Sequence, residues 1–290
     1  MENKIFDQEF YSKLETISVK TRITLTDGAS GGRKSKAKGS SVEFSDFREY
    51  TPGDDFRRID WNAYGRFDKL FLRLFTEERE ALLNIFFDTS KSMDFGEMNK
   101  SLMALRIAGI LTYMALSNLD RVCLNRVNEN SIINSSSFMG KSSFQKAIRF
   151  LEDTQFDGRT NLAESIKRKD LKNRGISVLI SDFFTAGSVN EAIKYLAYKK
   201  QHIILIQVLS QEEISPNLED QVRLVDQETE EEVNLTVNSK LLSIYDKKLK
   251  GLQANLKETV LKYGGIFFSV SSSDPLEKIV FESFAKEGIT

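Results

Sequence analysis

From Ala81 onward the chain alternates short apolar runs with amphipathic stretches. A-L-L-N-I-F-F at 81–87 is a compact apolar run, the pattern of a strand covered on both faces. R-V-C-L-N-R-V-N at 121–128 is a second strand, of mixed pattern. I-S-V-L-I-S-D at 176–182, entered through Gly175, and H-I-I-L-I-Q-V-L at 202–209 are buried strands, and G-I-F-F-S-V at 265–270 is the last one. Between them, helical spacing predicts helices over Met98–Asn118, Phe144–Leu151, Asn161–Lys172, Val189–Tyr198, Lys240–Tyr263 and Pro275–Phe284. The run at 222–237 reads as a β-hairpin turning at Gln227–Glu230, an insertion near 221–238. Ahead of Ala81 the pattern differs. Phe10, Leu14 and Ile17 predict a first helix near Asp7–Lys20. Asp27–Ser41 is rich in glycine and lysine and too poor in apolar residues to pack, and a dense charged and aromatic run fills Val42–Arg79.

Strands alternating with helices imply an α/β fold: a mainly parallel, Rossmann-like sheet with helices on both faces. Residues 80–290 form that domain, and residues 1–79 form an N-terminal extension to it. Ligand sites in such sheets lie at the carboxyl ends of the strands.

Composition narrows the chemistry. Lys plus Arg is 41 against 42 for Asp plus Glu, a net charge of -1, so no global field draws nucleic acid or an anionic membrane. One cysteine, Cys123, and one histidine, His202, exclude a disulfide framework and thiolate or imidazole metal sites. Any metal must be held by oxygen. The apolar stretch Ser101–Leu119 contains Arg106 and is flanked by Lys100, Asp120 and Arg121, so it reads as a buried helix rather than a membrane span. The N-terminus carries charges where a signal peptide needs an apolar core, and a cytoplasmic location is expected. G-A-S-G-G-R-K-S near Gly28 fails as a phosphate-binding loop, because Arg33 stands where the second glycine must be.

The candidate chemistry lies at the strand ends. F-D-T-S-K-S-M at 87–93 puts Asp88, Ser90 and Ser92 at alternate positions where a strand gives way to a helix. That spacing lets one carboxylate and two hydroxyls converge; it also suits a plain turn and helix cap. Thr160 in F-D-G-R-T-N-L and Asp182 at the end of I-S-V-L-I-S-D fall on the same rim, although either alone reads equally as an N-cap or an Asx-turn. Together the residues supply hard oxygen from three loops, which suits Mg²⁺, Mn²⁺ or Ca²⁺.

Asp88, Ser90, Ser92, Thr160 and Asp182 resemble the metal-ion-dependent adhesion site of the von Willebrand factor A fold. That resemblance implies that they surround a divalent cation. Asp157-Gly158-Arg159 precedes Thr160, where that family often shows two glycines. The run from Gly39 to Gly96, containing V-E-F-S-D-F-R-E-Y-T-P-G-D-D-F-R-R-I-D-W-N, resembles the signature of domain-of-unknown-function family 58. This second resemblance implies a bacterial protein, cytosolic or membrane-anchored, with a von Willebrand factor A-like domain, often encoded beside a MoxR-type AAA+ ATPase. It points to a non-enzymatic, metal-dependent interaction module with that ATPase as partner. The alternatives are a metal-dependent hydrolase at the same site and a metal-free scaffold. In the signature, Arg–carboxylate pairs and aromatics are expected to fasten the segment onto the α/β domain, with Trp61 buried; a docking surface is the other reading.

Overall fold

A computed structural model describes residues 5–14, 42–77, 82–118, 120–129, 131–171, 174–185, 187–217, 220–227 and 232–284. The stretch Asp27–Ser41 and the second half of the expected first helix lie outside the described residues. The chain divides into two compact units, residues 22–80 and residues 1–21 together with 81–290. The expected extension of 1–79 is therefore not one piece. Helix α1, described over 8–14, belongs with the α/β unit because Phe6, Phe10 and Leu14 enter its core.

In the smaller unit, β1 (Val42–Glu49) pairs antiparallel with β2 (Phe71–Glu77). A 3-10 turn (Phe56–Arg58) and helix α2 (Trp61–Phe67) fill the connection. Asp60 caps α2, accepting from the Asn62 and Ala63 amides at 2.9 and 3.2 Å. Arg48 pairs with Asp54 at 2.7 Å and Lys69 with Glu49 at 2.8 Å, so these charges tie the segment to itself. Trp61 is not buried as expected: it is 63 % exposed, and Phe56 and Phe67 are exposed beside it in sequence. A two-stranded hairpin with one short helix offers too little interior to cover that many rings, and Ile59 and Leu72 take the buried places.

The α/β unit is built on one sheet whose strands are β3 (Leu82–Asp88), β4 (Arg121–Val127), β5 (Ile132–Asn134), β6 (Phe138–Met139), β7 (Gly175–Ser181), β8 (Gln201–Leu209) and β11 (Ile266–Ser271). Their order is β11-β8-β7-β3-β4-β5, with β6 also on β4. The pairings from β11 through β4 are all parallel, and β5 and β6 close the edge antiparallel. β9 (Asp220–Val225) and β10 (Glu232–Val237) form the expected hairpin as a separate sheet.

Helices α3 (Lys100–Ser117), α4 (Phe144–Glu152), α5 (Leu162–Lys167), α6 (Val189–Tyr198), α7 (Gln211–Ile214), α8 (Ser239–Lys262) and α9 (Leu276–Lys278) follow the strands, and α9 runs on into a π-helical turn at Ile279–Phe284. α5 is shorter than the expected Asn161–Lys172: Asn161 caps it, accepting from the Glu164 amide. The period-2 pattern of the strands splits the core in two. Leu83, Ile85, Phe87, Val178, Ile180, Ile204 and Ile206 pack with α1, α3, α4 and the C-terminal turn. Phe86, Leu179, Ile203 and Leu205 pack with α5, α6 and α8.

α3 is buried nearly all round, including Met103, Leu105, Ile107 and Ile110. Gly109 lets α1 approach it, since a Cβ there would lie 2.8 Å from the Phe6 ring. Among the described residues no helix is long and apolar enough to cross a membrane. β3 lies between β4, which follows it in sequence, and β7, reached by crossing to its other side. That reversal is the topological switch point, and the candidate site stands at its carboxyl end.

Candidate metal centre

Asp88 is the last residue of β3, and its side chain is fully buried. Its Oδ1 accepts from the Ser90 amide at 2.9 Å and its Oδ2 from the Ser181 hydroxyl at 2.7 Å. Burial, with the nearby Asp182 carboxylate adding to it, pushes the Asp88 carboxyl up to about 7. Ser92 donates to Asp182 Oδ2 at 3.1 Å, and Ser90 lies 3.0 Å from Ser92. Since a serine has one proton to give, Ser90 is the donor to Ser92. Each serine oxygen keeps a lone pair for a cation.

Asp182 follows β7 directly and is also fully buried. Its Oδ1 accepts from the Phe184 amide at 2.9 Å, the Asx-turn visible in the sequence. Its backbone carbonyl accepts from Gln207 at 2.9 Å, and Gln207 accepts in turn from Gln253 of α8 at 2.9 Å. Phe183 has a φ of 61°, an uncommon conformation for a bulky side chain, so the backbone turns sharply to aim Asp182.

Thr160 is fully buried, and its Oγ1 has no hydrogen-bond partner. Its loop is laced to the Asp88 loop. The Lys91 amide donates to the Gly158 carbonyl at 2.9 Å, and the Asp157 amide to the Thr89 carbonyl at 2.9 Å. Gly158, at a φ of 69°, supplies the left-handed turn that Asp157-Gly158-Arg159 needs. The structure thus joins Asp88, Ser90, Ser92 and Asp182 by hydrogen bonds or charge, and sets Thr160 on a loop bonded to theirs without bonding its hydroxyl to them.

This donor set fits a hard divalent ion: two carboxylates, two linked hydroxyls and an orphaned buried hydroxyl, all oxygen. Among the described residues no cluster of three or more His, Cys, Asp or Glu could hold a metal. Any ion here would therefore depend on hydroxyls and on ligands brought from outside.

The sequence reading missed two charged members. Lys100, the first residue of α3, is fully buried and donates to Asp182 Oδ2 at 2.8 Å and to Glu213 Oε1 at 2.6 Å. Burial pulls its pKa down, and the two carboxylates outweigh that and hold it above the ordinary lysine value. Glu213 is held by a capping box with Ser210, and burial raises its carboxyl despite Lys100. Two signals were present in the sequence: a lysine at a helix N-terminus, where the dipole disfavours a cation, and S-Q-E-E, the capping-box spacing.

The family model described as Protein of unknown function DUF58 matches residues 46–252, well over half of the 290 residues. The chain belongs to family DUF58. Similar proteins include Uncharacterized protein Rv1480 of Mycobacterium tuberculosis and Uncharacterized protein Mb1516 of Mycobacterium bovis. Each is 26% identical over 227 residues, covering 75% of this chain and 71% of the relative. Similar solved structures include the conserved hypothetical protein BatB from Bacteroides thetaiotaomicron, with a TM-score of 0.42, 16% identity, and coverage of 72% of this chain and 100% of that one. The SpRpn10 VWA domain has a TM-score of 0.40 and 12% identity, covering 71% of this chain and 95% of that one. This DUF58 chain has an α/β fold with a mainly parallel central sheet, whose order puts Asp88 and Asp182 at the ends of the adjacent central strands β3 and β7.

Proposed function

We propose that this DUF58 chain is a non-enzymatic protein-interaction module whose α/β unit captures an acidic residue of a partner through a divalent cation, Mg²⁺, Mn²⁺ or Ca²⁺. The observation that supports it most is the buried Thr160 Oγ1, which has no partner and lies on a loop hydrogen-bonded to the one that carries Asp88, Ser90 and Ser92. A buried hydroxyl without a partner costs stability, so its retention fits a ligand that completes it. Ser90, Ser92 and Thr160 would hold the ion with Asp88 and Asp182. The ion would supply a hard Lewis acid with room for one carboxylate oxygen from outside.

Hydrolysis at the same site would need a base or nucleophile. Asp88 and Asp182 are engaged by Ser181, Ser92, Lys100 and backbone amides, which suits holding a ligand. The resemblance to the family signature makes a MoxR-type AAA+ ATPase the partner we propose, in the cytoplasm.

Capture of binding proteins from the native cell, in Mg²⁺ and in chelator, tests this on the wild type and on Asp182→Asn. A partner lost in chelator and lost with Asp182→Asn is the expected result. Tight capture that survives both overturns the mechanism and turns attention to the exposed Phe56, Trp61 and Phe67 of the smaller unit.

A further inference from the structure

Lys100 is not accounted for by a metal site. Its ammonium is fully buried at the first residue of α3, where the helix dipole works against a cation. It is tolerated because two carboxylates flank it, Asp182 at 2.8 Å and Glu213 at 2.6 Å. The oxygen it holds is the one a cation would use. Asp182 Oδ1 accepts from the Phe184 amide, and Oδ2, the oxygen on the Ser92 side, already accepts from Ser92 and Lys100. A metal ion, or a water bound to it, therefore meets a positive charge already seated on its carboxylate.

Glu213 gives that charge a second seat. Its Oε2 accepts from the Ser210 amide at 2.9 Å, and its backbone carbonyl accepts from Tyr245 of α8 at 2.7 Å, so the carboxylate is fixed. The lysine can release Asp182 while keeping Glu213.

We infer that Lys100 is a tethered cation that competes with a divalent metal for Asp182, setting the metal affinity of the site, and that Glu213 is the anchor that receives the lysine when metal enters. The inference rests on the proposed metal site, but its test separates the two. Removing the ammonium should tighten metal binding about tenfold or more, since a unit charge at this range is felt strongly in a buried site.

The test uses the full chain, with Mn²⁺ alone as probe and the free ion counted by electron paramagnetic resonance. The variants are Lys100→Gln and the double variant Lys100→Gln/Glu213→Gln. The double variant removes one charge of each sign, so a gain there reflects the vacated oxygen and not a change in net charge. It also spares Glu213 from being buried as an unpaired carboxylate if Lys100→Gln alone fails to fold. Tighter Mn²⁺ binding in the folded variants than in the wild type supports the inference. Binding in the variants with none in the wild type also supports it, and overturns the metal reading for the natural chain. Variants that bind no tighter than a metal-binding wild type overturn the inference and leave the metal reading standing. Absence of binding in all three chains overturns both. If neither variant folds, the Lys100 ammonium resonance of the wild type decides. A shift on Mg²⁺ addition supports competition, and an unmoved resonance overturns it.

Discussion

Replacing Thr160 by valine separates the cost of an empty buried hydroxyl from its use. Valine keeps the shape of threonine and removes only the polar atom. That atom is buried and has no partner among the protein's own described groups. An unsatisfied buried polar group costs roughly 1–3 kcal/mol, so Thr160→Val should be more stable than the wild type by about that amount in chelator. The backbone carbonyl of Thr160, which accepts from Thr185 at 2.9 Å, is untouched by the change. For a unit of this size each kcal/mol moves the melting temperature by about 2–4 °C. Mg²⁺ narrows the gap, because an ion at ten times its Kd stabilises the wild type by about 1.4 kcal/mol and the variant lacks one of its ligands. Thermal unfolding of both proteins in chelator and in rising Mg²⁺ should therefore give converging curves, with valine ahead at the start. A variant less stable than the wild type in chelator, or one that keeps the full Mg²⁺ shift, would rule out Thr160 as an unsatisfied ligand of the ion.

Further outcomes follow from other parts of the molecule. Between about pH 4 and about 7 the folded, metal-free chain holds a proton on Asp88 that the unfolded chain has lost, so the contribution of this group to stability falls as pH rises through that window. Metal binding must displace that proton, and the Mg²⁺-induced melting shift should be larger at pH 8 than at pH 6; equal shifts would count against Asp88 as a ligand. Gly109→Ala pushes a methyl to 2.8 Å from the Phe6 ring and should lower stability by about 1–3 kcal/mol in denaturant titration, whereas a gain would mean that α1 does not pack there. Trp61, the chain's single tryptophan, should emit as a solvent-exposed indole and be readily quenched by acrylamide; a blue-shifted, protected emission would contradict its 63 % exposure.

The parallel sheet was legible because each central strand is a short, mainly apolar run, with single polar residues such as Asn84 and Gln207 buried within it. Leu83 to Phe87 and Ile203 to Val208 can only be strands covered on both faces. The short antiparallel strands β5 and β6 were not legible, since I-I-N and F-M carry no period long enough to read. Asp88, Ser90, Ser92 and Asp182 could be assembled from sequence because each sits at the end of a strand or in the turn that leaves it. Lys100 and Glu213 could not, because their meeting spans 113 residues and depends on how α3 and α7 approach the same rim. Trp61 was misplaced for a different reason: a high aromatic content argues for packing, but it does not say whether the local unit has interior enough to hold the rings.

The central claim is that a divalent cation is held at the carboxyl ends of β3 and β7. Crystals of the full chain soaked in Mn²⁺ and measured at an anomalous wavelength test it most directly. One strong anomalous peak within bonding distance of the Ser90, Ser92 and Thr160 hydroxyls is expected. A map with no peak there, and Lys100 still seated on Asp182 with the Thr160 hydroxyl unpartnered, would contradict it.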